Sequence, residues 1–252
     1  MNRHAPDEFH AFVEKLPVAD VQVILVHDPL KTSTPDSIFP NNWVSFHENG
    51  SVVVYPMFAV NRRKERRTDI FDLLEESGFV IDQIIDYTSA EADGLFLEAT
   101  GSIVMDRTHQ KAYCALSARA DEGLFIEFCE DFDVAPVIFT AYQSVDGKRL
   151  PIYHTNVMMC IAEDLAVICL DTIDDRKERK NVVDHLKKDG FDILEISEAQ
   201  MHAFAGNMLQ VLGRDGERLM VMSASAYNAL NPQQIARIEK TSRIISSPID
   251  TI

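Results

Sequence analysis

The sequence predicts an α/β fold built from repeated units that form a five-bladed, pseudo-symmetric α/β propeller, incomplete at both ends of this chain. The main observation is a strand, a hairpin and an amphipathic helix that recur in this order roughly every 51 to 57 residues. Four such units are complete, and the two ends supply one further helix and one further strand, which fits a ring of five units. A ring is favoured over the alternative, an open αβ sandwich, because closure leaves few exposed strand edges.

The first two units show the pattern most clearly. A strand at 21–26 leads into a hairpin about Glu48-Asn49-Gly50, and Asn-Gly is a strong short-range hairpin signal. A helix over about 62–77, ended by Gly78, closes the unit. The second unit has a strand at 80–86, hairpin strands within 94–106 and 111–117 about the turn 107–110, and a helix near 119–132.

The third and fourth units repeat the order with different turns. The third has a strand at 136–142, a hairpin that turns at Glu163-Asp164, and a helix over about 174–188. The fourth has a strand at 192–197, a helical turn around 198–204, a hairpin about 214–217, and a helix at 232–241 capped by Asn231 with Pro232 in its first turn. We therefore predict a single domain with an orphan helix at 6–16, units at about 21–77, 80–132, 135–188 and 192–241, and the start of a fifth unit at 243–252.

Polar residues interrupt the apolar run at the start of the first hairpin strand in each unit, and in a ring these positions converge on the central axis. A strand buried on both faces does not carry amides, a carboxylate and an imidazole unless they bind each other or a ligand. Taken singly, each residue has an ordinary alternative as a turn, rim or core residue. Their repetition at equivalent positions favours a site. The residues are Asn41, Asn42, Glu98, His154, Asn156 and Asn207.

The composition restricts the class of partner. The net charge of −16 argues against nucleic acid and anionic membranes as partners, because nothing basic offsets phosphate repulsion. No apolar run approaches the roughly 18 residues of a membrane-spanning helix, and the N-terminus lacks the apolar stretch of a secretory signal. A cytoplasmic location and a small-molecule partner are expected. No nucleotide-binding or serine-hydrolase motif occurs in the sequence.

The cysteines and histidines indicate neither a zinc site nor a redox pair. Cys160 and Cys169 lie inside apolar runs and are predicted to be reduced core residues. The histidines other than His154 share no spacing typical of metal ligands, so no metal is expected. The four cysteines lack CxxC spacing and are Cys114, Cys129, Cys160 and Cys169.

Five segments carry a family resemblance that extends over essentially the whole chain. They are FPNNWVSFH (39–47), FLEATGSIVMDR (96–107), LSARADE (116–122), YHTNVMMCIAEDLAVICL (153–170) and FAGNMLQV (204–211). These motifs resemble the pentein superfamily of guanidine-modifying enzymes, which includes dimethylarginine dimethylaminohydrolase. Within it they are most similar to bacterial citrulline-utilisation hydrolases, a subgroup described as arginine deiminase-related or amidinotransferase-like.

The resemblance implies a cofactor-free hydrolase of a linear C–N bond in a ureido or guanidino compound. In such enzymes a Cys thiolate attacks the planar carbon, a His acts as acid and then base, and carboxylates orient the nitrogens. Carried over to this chain, His154 is the acid/base and Glu98 is the carboxylate that holds the planar group. Arg119 would bind the substrate carboxylate, with Arg62 or Arg63 helping from a mobile loop.

Two departures from the family pattern bear on the substrate. Asn42 and Asn156 stand where members that bind a guanidinium cation often have Asp. An amide can donate a hydrogen bond to the C=O of a neutral ureido group and still accept one from its NH2. Citrulline is therefore favoured, ahead of arginine or methylated arginine. Ala99 replaces a Gly that is common beside the carboxylate, and Asn207 completes the predicted substrate-binding residues.

The family's catalytic cysteine has no counterpart in this sequence. In the family, a Gly-rich stretch that ends in this Cys follows the strand that resembles SSPIDTI (246–252). We therefore expect a partial chain that is inactive as it stands. Cys160 and Cys169 are poor substitutes, because apolar surroundings raise a thiol pKa and hide the sulfur.

Two alternatives to hydrolysis stay open. An amidinotransferase would use the same residues and differ in the group that attacks the covalent intermediate. A pentein can also be a binding protein without catalysis, in which Glu98 and His154 would be relics. Members of the family often form dimers, so the resemblance also implies a homodimer.

Overall fold

Four three-stranded sheets with one shared topology dominate the computed structural model, which describes residues 5–28 and 34–251. In each sheet two strands form an antiparallel hairpin, and a strand from further along the chain pairs in parallel with the second of them. The sheets are β1 (Val44–Phe46), β2 (Ser51–Val54) and β3 (Gln83–Asp86); β4 (Ile103–Asp106), β5 (Lys111–Leu116) and β6 (Ala135–Thr140); β9 (Met159–Ile161), β10 (Leu165–Ile168) and β11 (Asp192–Glu195); and β12 (Leu209–Leu212), β13 (Arg218–Ser223) and β14 (Arg243–Ser247), with a separate hairpin of β7 (Tyr142–Val145) and β8 (Lys148–Pro151).

Helices connect the sheets, and five of them begin at a residue whose side chain accepts a hydrogen bond from the first turn. The side chain of Asn231 accepts a hydrogen bond from the backbone N–H of Gln234, whose own side chain accepts from the N–H of Asn231, so that the last helix begins at a complete capping box. The helices are α1 (Ala5–Val18), α2 (Asp69–Glu76), α3 (Ala99–Ser102), α4 (Glu122–Asp131), α5 (Arg176–Lys188), α6 (Glu198–His202), α7 (Ala224–Ala229) and α8 (Pro232–Ile238).

The predicted α/β class and the four repeated hairpins are confirmed. Each hairpin turns where the sequence indicates, and Gly50 has the positive φ of +76° that the Asn-Gly turn between β1 and β2 requires. The helix expected at 6–16 is α1, and the strand expected at the start of 243–252 is β14. In every sheet the opening strand of one unit lies on the hairpin of the unit before it.

Some predicted elements are wrong. Residues 21–26 are not a strand, because no hairpin in the described parts of the chain pairs with them. The helix expected at 62–77 is divided into a 3-10 turn (Arg62–Glu65) and α2, with Arg66 in extended conformation between them. The side chain of Arg66 reaches Glu91 at 2.5 Å, and such ion pairs override the helical pattern of the sequence.

The sequence prediction also missed three elements. The hairpin of β7 and β8 turns at Asp146-Gly147, where φ is positive at both residues. The short helix α7 follows β13 directly, with the Ser223 side chain as its cap. The helix α3 interrupts the strand expected within 94–106, and Glu98 stands at its N-cap position.

The core packs against both faces of the repeated sheets. One apolar cluster joins the second, third and fourth sheets and includes the fully buried side chains of Phe139 and Met158. A second cluster lies between the first two sheets and α4, around Tyr55 and Phe128. All four cysteines are free and buried, as the sequence predicts. In the described residues, no helix has the length and apolar character needed to span a bilayer.

We expect the stability of the fold to fall on mild acidification because of His47. Its ring stacks on Phe132 with centroids 4.2 Å apart, and its Nε2 lies 2.8 Å from the Ser45 hydroxyl. Burial, together with the positive charge of Arg107, lowers the pKa of His47 to about 4. The unfolded chain therefore binds more protons than the folded one below the ordinary histidine pKa of about 6.5.

The stabilisation from neutral His47 is complete above pH 6.5 and is lost as the pH falls toward 4. Allowing for partial solvent screening, the loss by pH 5 is about 1 to 2 kcal/mol. The measurement is urea unfolding at pH 7.5 and pH 5 for the wild type and for His47→Gln, which cannot titrate. Because other groups titrate too, the loss of unfolding free energy between pH 7.5 and pH 5 in the wild type is compared with the same loss in His47→Gln. Equal losses in the two proteins would contradict the assignment to His47.

Candidate active site

The candidate site residues lie on the turns that precede the first strand of successive sheets. A 3-10 turn (Pro40–Asn42) leads into β1, α3 leads into β4, and a second 3-10 turn (Thr155–Val157) leads into β9. The helix α3 contacts both 3-10 turns. The repeat therefore brings together side chains that are far apart in the sequence, as expected from their equivalent positions.

Glu98 is the centre of this cluster and is fully buried. Its Oε1 accepts a hydrogen bond from the backbone N–H of Phe58 at 3.0 Å. Its Oε2 accepts from Nε2 of His154 at 2.6 Å and from a guanidinium nitrogen of Arg119 at 3.2 Å. A buried carboxylate with three donors around it satisfies the requirement that a buried charge be paired and hydrogen-bonded.

The surroundings of the pair favour ionised Glu98 beside neutral His154. Burial by itself would raise the pKa of Glu98, but the hydrogen bond with His154, the positive charge of Arg119 and the hydrogen bond from the backbone N–H of Phe58 lower it overall. Burial lowers the pKa of His154, against the opposing effect of Glu98. Since a carboxylate can only accept, Nε2 of neutral His154 carries the proton and Nδ1 is left as an acceptor. The pair can therefore take up a proton at Nδ1.

Arg119 holds its guanidinium group against Glu98 and between two aromatic rings. Its Cζ lies 5.4 Å from the ring centroid of Tyr153 and 5.9 Å from that of Phe58. The backbone carbonyl of Arg119 accepts hydrogen bonds from the N–H of Glu98 and from the hydroxyl of Ser102. The main chain is thereby fixed at this position, and the guanidinium is presented to the site by the side chain.

Asn42 is fixed by Arg62, which the sequence analysis expected to act from a mobile loop. That expectation is wrong in its placement: Arg62 is buried in a 3-10 turn, paired with Glu65 at 2.9 Å. Its NH1 donates to Oδ1 of Asn42 at 2.8 Å. Because Arg is only a donor, the amide oxygen of Asn42 faces Arg62 and the NH2 group faces away, toward Gly101 and His154.

Sequence reasoning missed Glu65 and the residues that support the site. Burial raises the pKa of Glu65 against the lowering effect of Arg62, which marks the pair as desolvated. Thr155 donates to the carbonyl of Ser102 at 2.5 Å and accepts from the N–H of Ala115 at 2.8 Å. The i, i+3 spacing of Arg62 and Glu65 was the one sequence signal that could have found this pair.

Three of the predicted binding residues lie at the margin of the cluster around Glu98, His154 and Asn42. Arg63 donates to the carbonyl of Met57 at 2.9 Å and pairs with Glu91 at 3.3 Å. Asn207 is exposed, and its Nδ2 donates to the backbone carbonyl of Asn156. Asn156 itself is half-buried on the turn that follows His154. The hydrogen bond between Asn207 and Asn156 joins the fourth unit to the third.

Two backbone positions allow the side chains to come this close. Ala99 has a φ of +34°, a value that suits glycine better than alanine. At Gly101, an added Cβ would collide with Nδ2 of Asn42 and lie 3.1 Å from Cδ2 and Cε1 of the His154 ring. Asn42 and His154 therefore meet over a position that has no room for a side chain.

We predict that Gly101→Ala costs about 1 to 3 kcal/mol of stability, because the methyl group must displace Asn42 or His154. The matched control is Ala99→Gly, two residues away, which relieves a positive φ and should change stability by less than about 1 kcal/mol. Urea unfolding at pH 7.5 measures both. A Gly101→Ala variant as stable as the wild type would show that the two side chains are not held in this packing.

The four cysteines do not contribute a reactive thiolate to the cluster. Burial raises the pKa of Cys160, Cys169 and Cys129 to about 12 and raises that of Cys114 further. A thiol with such a pKa is almost entirely protonated at neutral pH.

Among the described residues, one set of side chains outside this cluster has ligand atoms close enough for a metal ion. Those of Asp106, His109 and Asp189 lie within 4.8 Å of one another. The ammonium group of Lys111 already pairs with Asp189 at 2.5 Å, and His109 bonds with Asp106 at 2.9 Å. The three residues come from two distant segments, so the spacing of the histidines in the sequence does not predict this set.

The sequence matches the model of a known protein family over its whole length. A model of the family described as N,N dimethylarginine dimethylhydrolase, eukaryotic, matches residues 1–252. Among curated proteins, none has a sequence that matches.

Several solved structures have a similar fold at low sequence identity. The N-terminal domain of ArgZ, an arginine dihydrolase from the ornithine-ammonia cycle in Cyanobacteria, was solved bound to substrate; it has a TM-score of 0.73 and 15% identity over 99% of this chain and 82% of that one. AgrE in a ternary complex with ornithine and NAD+ gives 0.71 and 16%, over 99% and 33% of the two chains. A dimethylarginine dimethylaminohydrolase adduct with S-methyl-L-thiocitrulline gives 0.65 and 18%, over 97% and 82%. The chain spans 35% of the longer ArgZ chain.

Proposed function

This chain belongs to the N,N dimethylarginine dimethylhydrolase family, and from that premise we propose that the Glu98–His154 cluster binds a linear ureido or guanidino amino acid for hydrolysis of a C–N bond. The observation that carries the proposal is the fully buried Glu98 carboxylate, 2.6 Å from His154 and 3.2 Å from a guanidinium group. A planar group rich in N–H donors is therefore accommodated there. An arginine dihydrolase and a dimethylarginine hydrolase have the same fold.

In this proposal Glu98 and His154 divide the chemistry. The carboxylate accepts hydrogen bonds from the ligand's NH2 groups and thereby orients the planar carbon. His154, neutral and held by Glu98, takes up at Nδ1 the proton that the attacking nucleophile releases and returns it to the leaving nitrogen. The hydrogen bond from the backbone N–H of Phe58 to Oε1 holds Glu98 in place while the other carboxylate oxygen, Oε2, binds the ligand.

Asn42 supports citrulline as the substrate over arginine or methylated arginine. Its amide oxygen is occupied by Arg62, so its NH2 group is the part that faces the His154 side of the cluster. An NH2 donor suits the C=O of a neutral ureido group and is repelled by a guanidinium, which has only donors. Glu98 remains able to accept from the NH2 of either ligand.

We expect residues 1–252 to bind such ligands without turning them over. The proposed reaction needs a nucleophile, and the four cysteines of the sequence are all buried with raised pKa values. Binding is therefore the property to measure first. An amidinotransferase would bind the same ligands, whereas a non-catalytic pentein with an occluded centre would bind none.

The test is isothermal titration calorimetry of the purified chain with L-citrulline and L-arginine at pH 7.5. We expect citrulline to bind at least about 10-fold more tightly, which is the worth of one hydrogen-bond mismatch. Tighter binding of arginine would overturn the citrulline preference but keep the site. No binding of either ligand would overturn the proposed enzyme lineage in favour of a non-catalytic protein.

We also propose that the four units are blades of a five-bladed ring within a single domain, and that the protein forms a homodimer. The shared topology of the four sheets and the meeting of the turns of the first three units near Glu98 support the ring. A crystal structure in which the sheets do not surround a common axis would contradict it. Light scattering tests the dimer, which requires twice the chain mass of 28.4 kDa.

A further inference from the structure

A second cluster of charged side chains lies apart from Glu98, where the turn after β4 meets the end of α5. Its metal-binding atoms belong to Asp106, His109 and Asp189, and they all lie within 4.8 Å of one another. The side chains of Asp106 and Asp189 are 2% and 8% exposed, whereas that of His109 is 32% exposed. The two carboxylates are therefore enclosed, and solvent reaches the cluster beside the imidazole ring.

Local contacts hold Asp106 and His109 in position. Oδ1 of Asp106 accepts from the backbone N–H of His109 at 3.0 Å, and Oδ2 lies 2.9 Å from Nδ1 of the ring. The ring also packs edge-on against Phe191, with centroids 5.4 Å apart. Because a carboxylate only accepts, Nδ1 of His109 carries the proton in this arrangement. Transfer of that proton to Nε2 changes the tautomer but not the charge, and it makes the Nδ1 lone pair available to a metal ion.

The hydroxyl of Tyr113 is the observation that points to a ligand. Tyr113 is fully buried, and its hydroxyl has no hydrogen-bond partner among the described residues. Burial, and then the negative charges of Asp189 and Asp106, raise the pKa of Tyr113, so the hydroxyl lies near both carboxylates. Lys111, two residues earlier in β5, lies on the same face of the strand. A buried donor without an acceptor is costly, and outer hydrogen bonds of this kind orient the ligands of bound metals.

Lys111 is the counter-ion of the cluster, and a metal ion would have to replace it. Its ammonium group pairs with Asp189 at 2.5 Å. A divalent cation neutralises both carboxylates and repels the ammonium. His185, one helical turn before Asp189, offers the displaced ammonium an acceptor, because its buried Nδ1 has no partner within the described parts of the chain. Burial, followed by the charge of Lys111, lowers the pKa of His185, which places the two side chains near each other.

We propose that Asp106, His109 and Asp189 form a zinc site that joins the hairpin of the second unit to the helix of the third. Zinc binds imidazole and carboxylate at about 2.0 to 2.2 Å in a tetrahedral arrangement, which sets the ligand atoms about 3.3 to 3.5 Å apart. The three groups need only small movements to reach that spacing. Mg²⁺ and Ca²⁺ prefer oxygen ligands and do not favour an imidazole. A water molecule completes the four ligands, and Tyr113 donates an outer hydrogen bond.

The test is calorimetric titration of Zn²⁺ into the full chain after treatment with a chelator, with the melting temperature measured in parallel. Two variants remove ligands, His109→Ala and Asp189→Asn. The matched control is His202→Ala, which removes an exposed histidine beside Glu198. A further variant, His154→Ala, shows whether zinc binds at the Glu98 cluster instead.

For the wild type we expect one Zn²⁺ per chain with a Kd below about 10 µM. His109→Ala and Asp189→Asn each weaken binding by more than about 100-fold, since the loss of a ligand exceeds the effect of an outer hydrogen bond. Affinity in His202→Ala and in His154→Ala stays within about 2-fold of the wild type.

Two further variants separate a metal site from a structural ion pair. Lys111→Met should lower the melting temperature of the metal-free protein and yet raise zinc affinity at least about 10-fold, because the competing charge is gone. Tyr113→Phe should lower zinc affinity by about 10-fold. Its melting temperature without metal stays within about 2 °C of the wild type, because the hydroxyl has no partner to lose. General damage to the fold cannot raise an affinity.

Three results would overturn the inference, and none of them bears on the proposed function. Absence of zinc binding in both the wild type and Lys111→Met would leave the cluster a structural ion pair. Equal binding in every variant would place the zinc on exposed side chains. Binding that is lost in His154→Ala and kept in His109→Ala would assign the zinc to the Glu98 cluster.

Discussion

Replacing Glu98 with Gln lowers ligand affinity by about 100- to 10,000-fold, because the ligand loses two hydrogen bonds to a buried charge, each worth about 1.5 to 3 kcal/mol. The carboxamide keeps the size of the side chain and can still accept from the N–H of Phe58. Its NH2 group, however, faces the donors of His154 or Arg119 in place of an acceptor oxygen. The effect is thus on binding more than on shape.

Calorimetry with the preferred ligand measures this loss, and Glu217→Gln is the matched control. Glu217 is half-exposed and paired with Arg243, so its neutralisation should leave affinity within about 2-fold of the wild type. Urea unfolding of Glu98→Gln verifies the fold. If Glu98→Gln binds as tightly as the wild type, then Glu98 is not the residue that holds the ligand, and the proposed site is wrong.

The second large effect is on stability. Arg62→Met leaves Glu65 as a buried charge without its partner, and we expect a loss of about 3 to 5 kcal/mol in the free energy of unfolding. The side chain of Arg62 also donates to Asn42 and to the carbonyls of Asp36 and Phe39, which lose a donor at the same time. Urea unfolding at pH 7.5 measures the loss.

A double variant separates the unpaired charge from the other lost contacts. Arg62→Met with Glu65→Leu removes both charges, and such apolar replacements of buried ion pairs are often close to neutral. We expect it to recover about half of the lost stability, since Asn42 still lacks its donor. The reference is Arg67→Met, which breaks an exposed pair with Asp69 and should cost less than about 1 kcal/mol. If Arg62→Met loses no more unfolding free energy than Arg67→Met, the Arg62–Glu65 pair is not buried as described.

The parts of the fold that were predictable from the sequence are those determined by local signals. The Asn49-Gly50 turn and the cap at Asn231 depend on neighbours in the chain, and both form as expected. The strand predicted at 21–26 has an apolar pattern, but a strand also requires a partner elsewhere in the fold. The hairpin at Asp146-Gly147 had its own turn signal, which was overlooked because the repeat assigned no element there.

The site was predictable to the extent that the repeat locates it. Glu98 and His154 occupy equivalent positions of two units, and their hydrogen bond follows from the packing of those units. Arg62 was predicted as a binding residue from the resemblance alone, which says nothing of its burial against Glu65. The hydroxyl of Thr155 donates to the carbonyl of Ser102, and this contact was missed. It joins segments about 50 residues apart, and such a contact produces no periodic pattern in the sequence.

The sharing of each sheet between consecutive units has a consequence for how the protein folds and how it can be divided. A cut at the boundary between two units, such as 132–135, would separate β6 from β5 and leave an open edge on one fragment and an unpaired strand on the other. No unit is therefore an independent folding module, and unfolding should be a single cooperative transition even though the sequence is repetitive. Limited proteolysis should yield no stable fragment the size of one repeat.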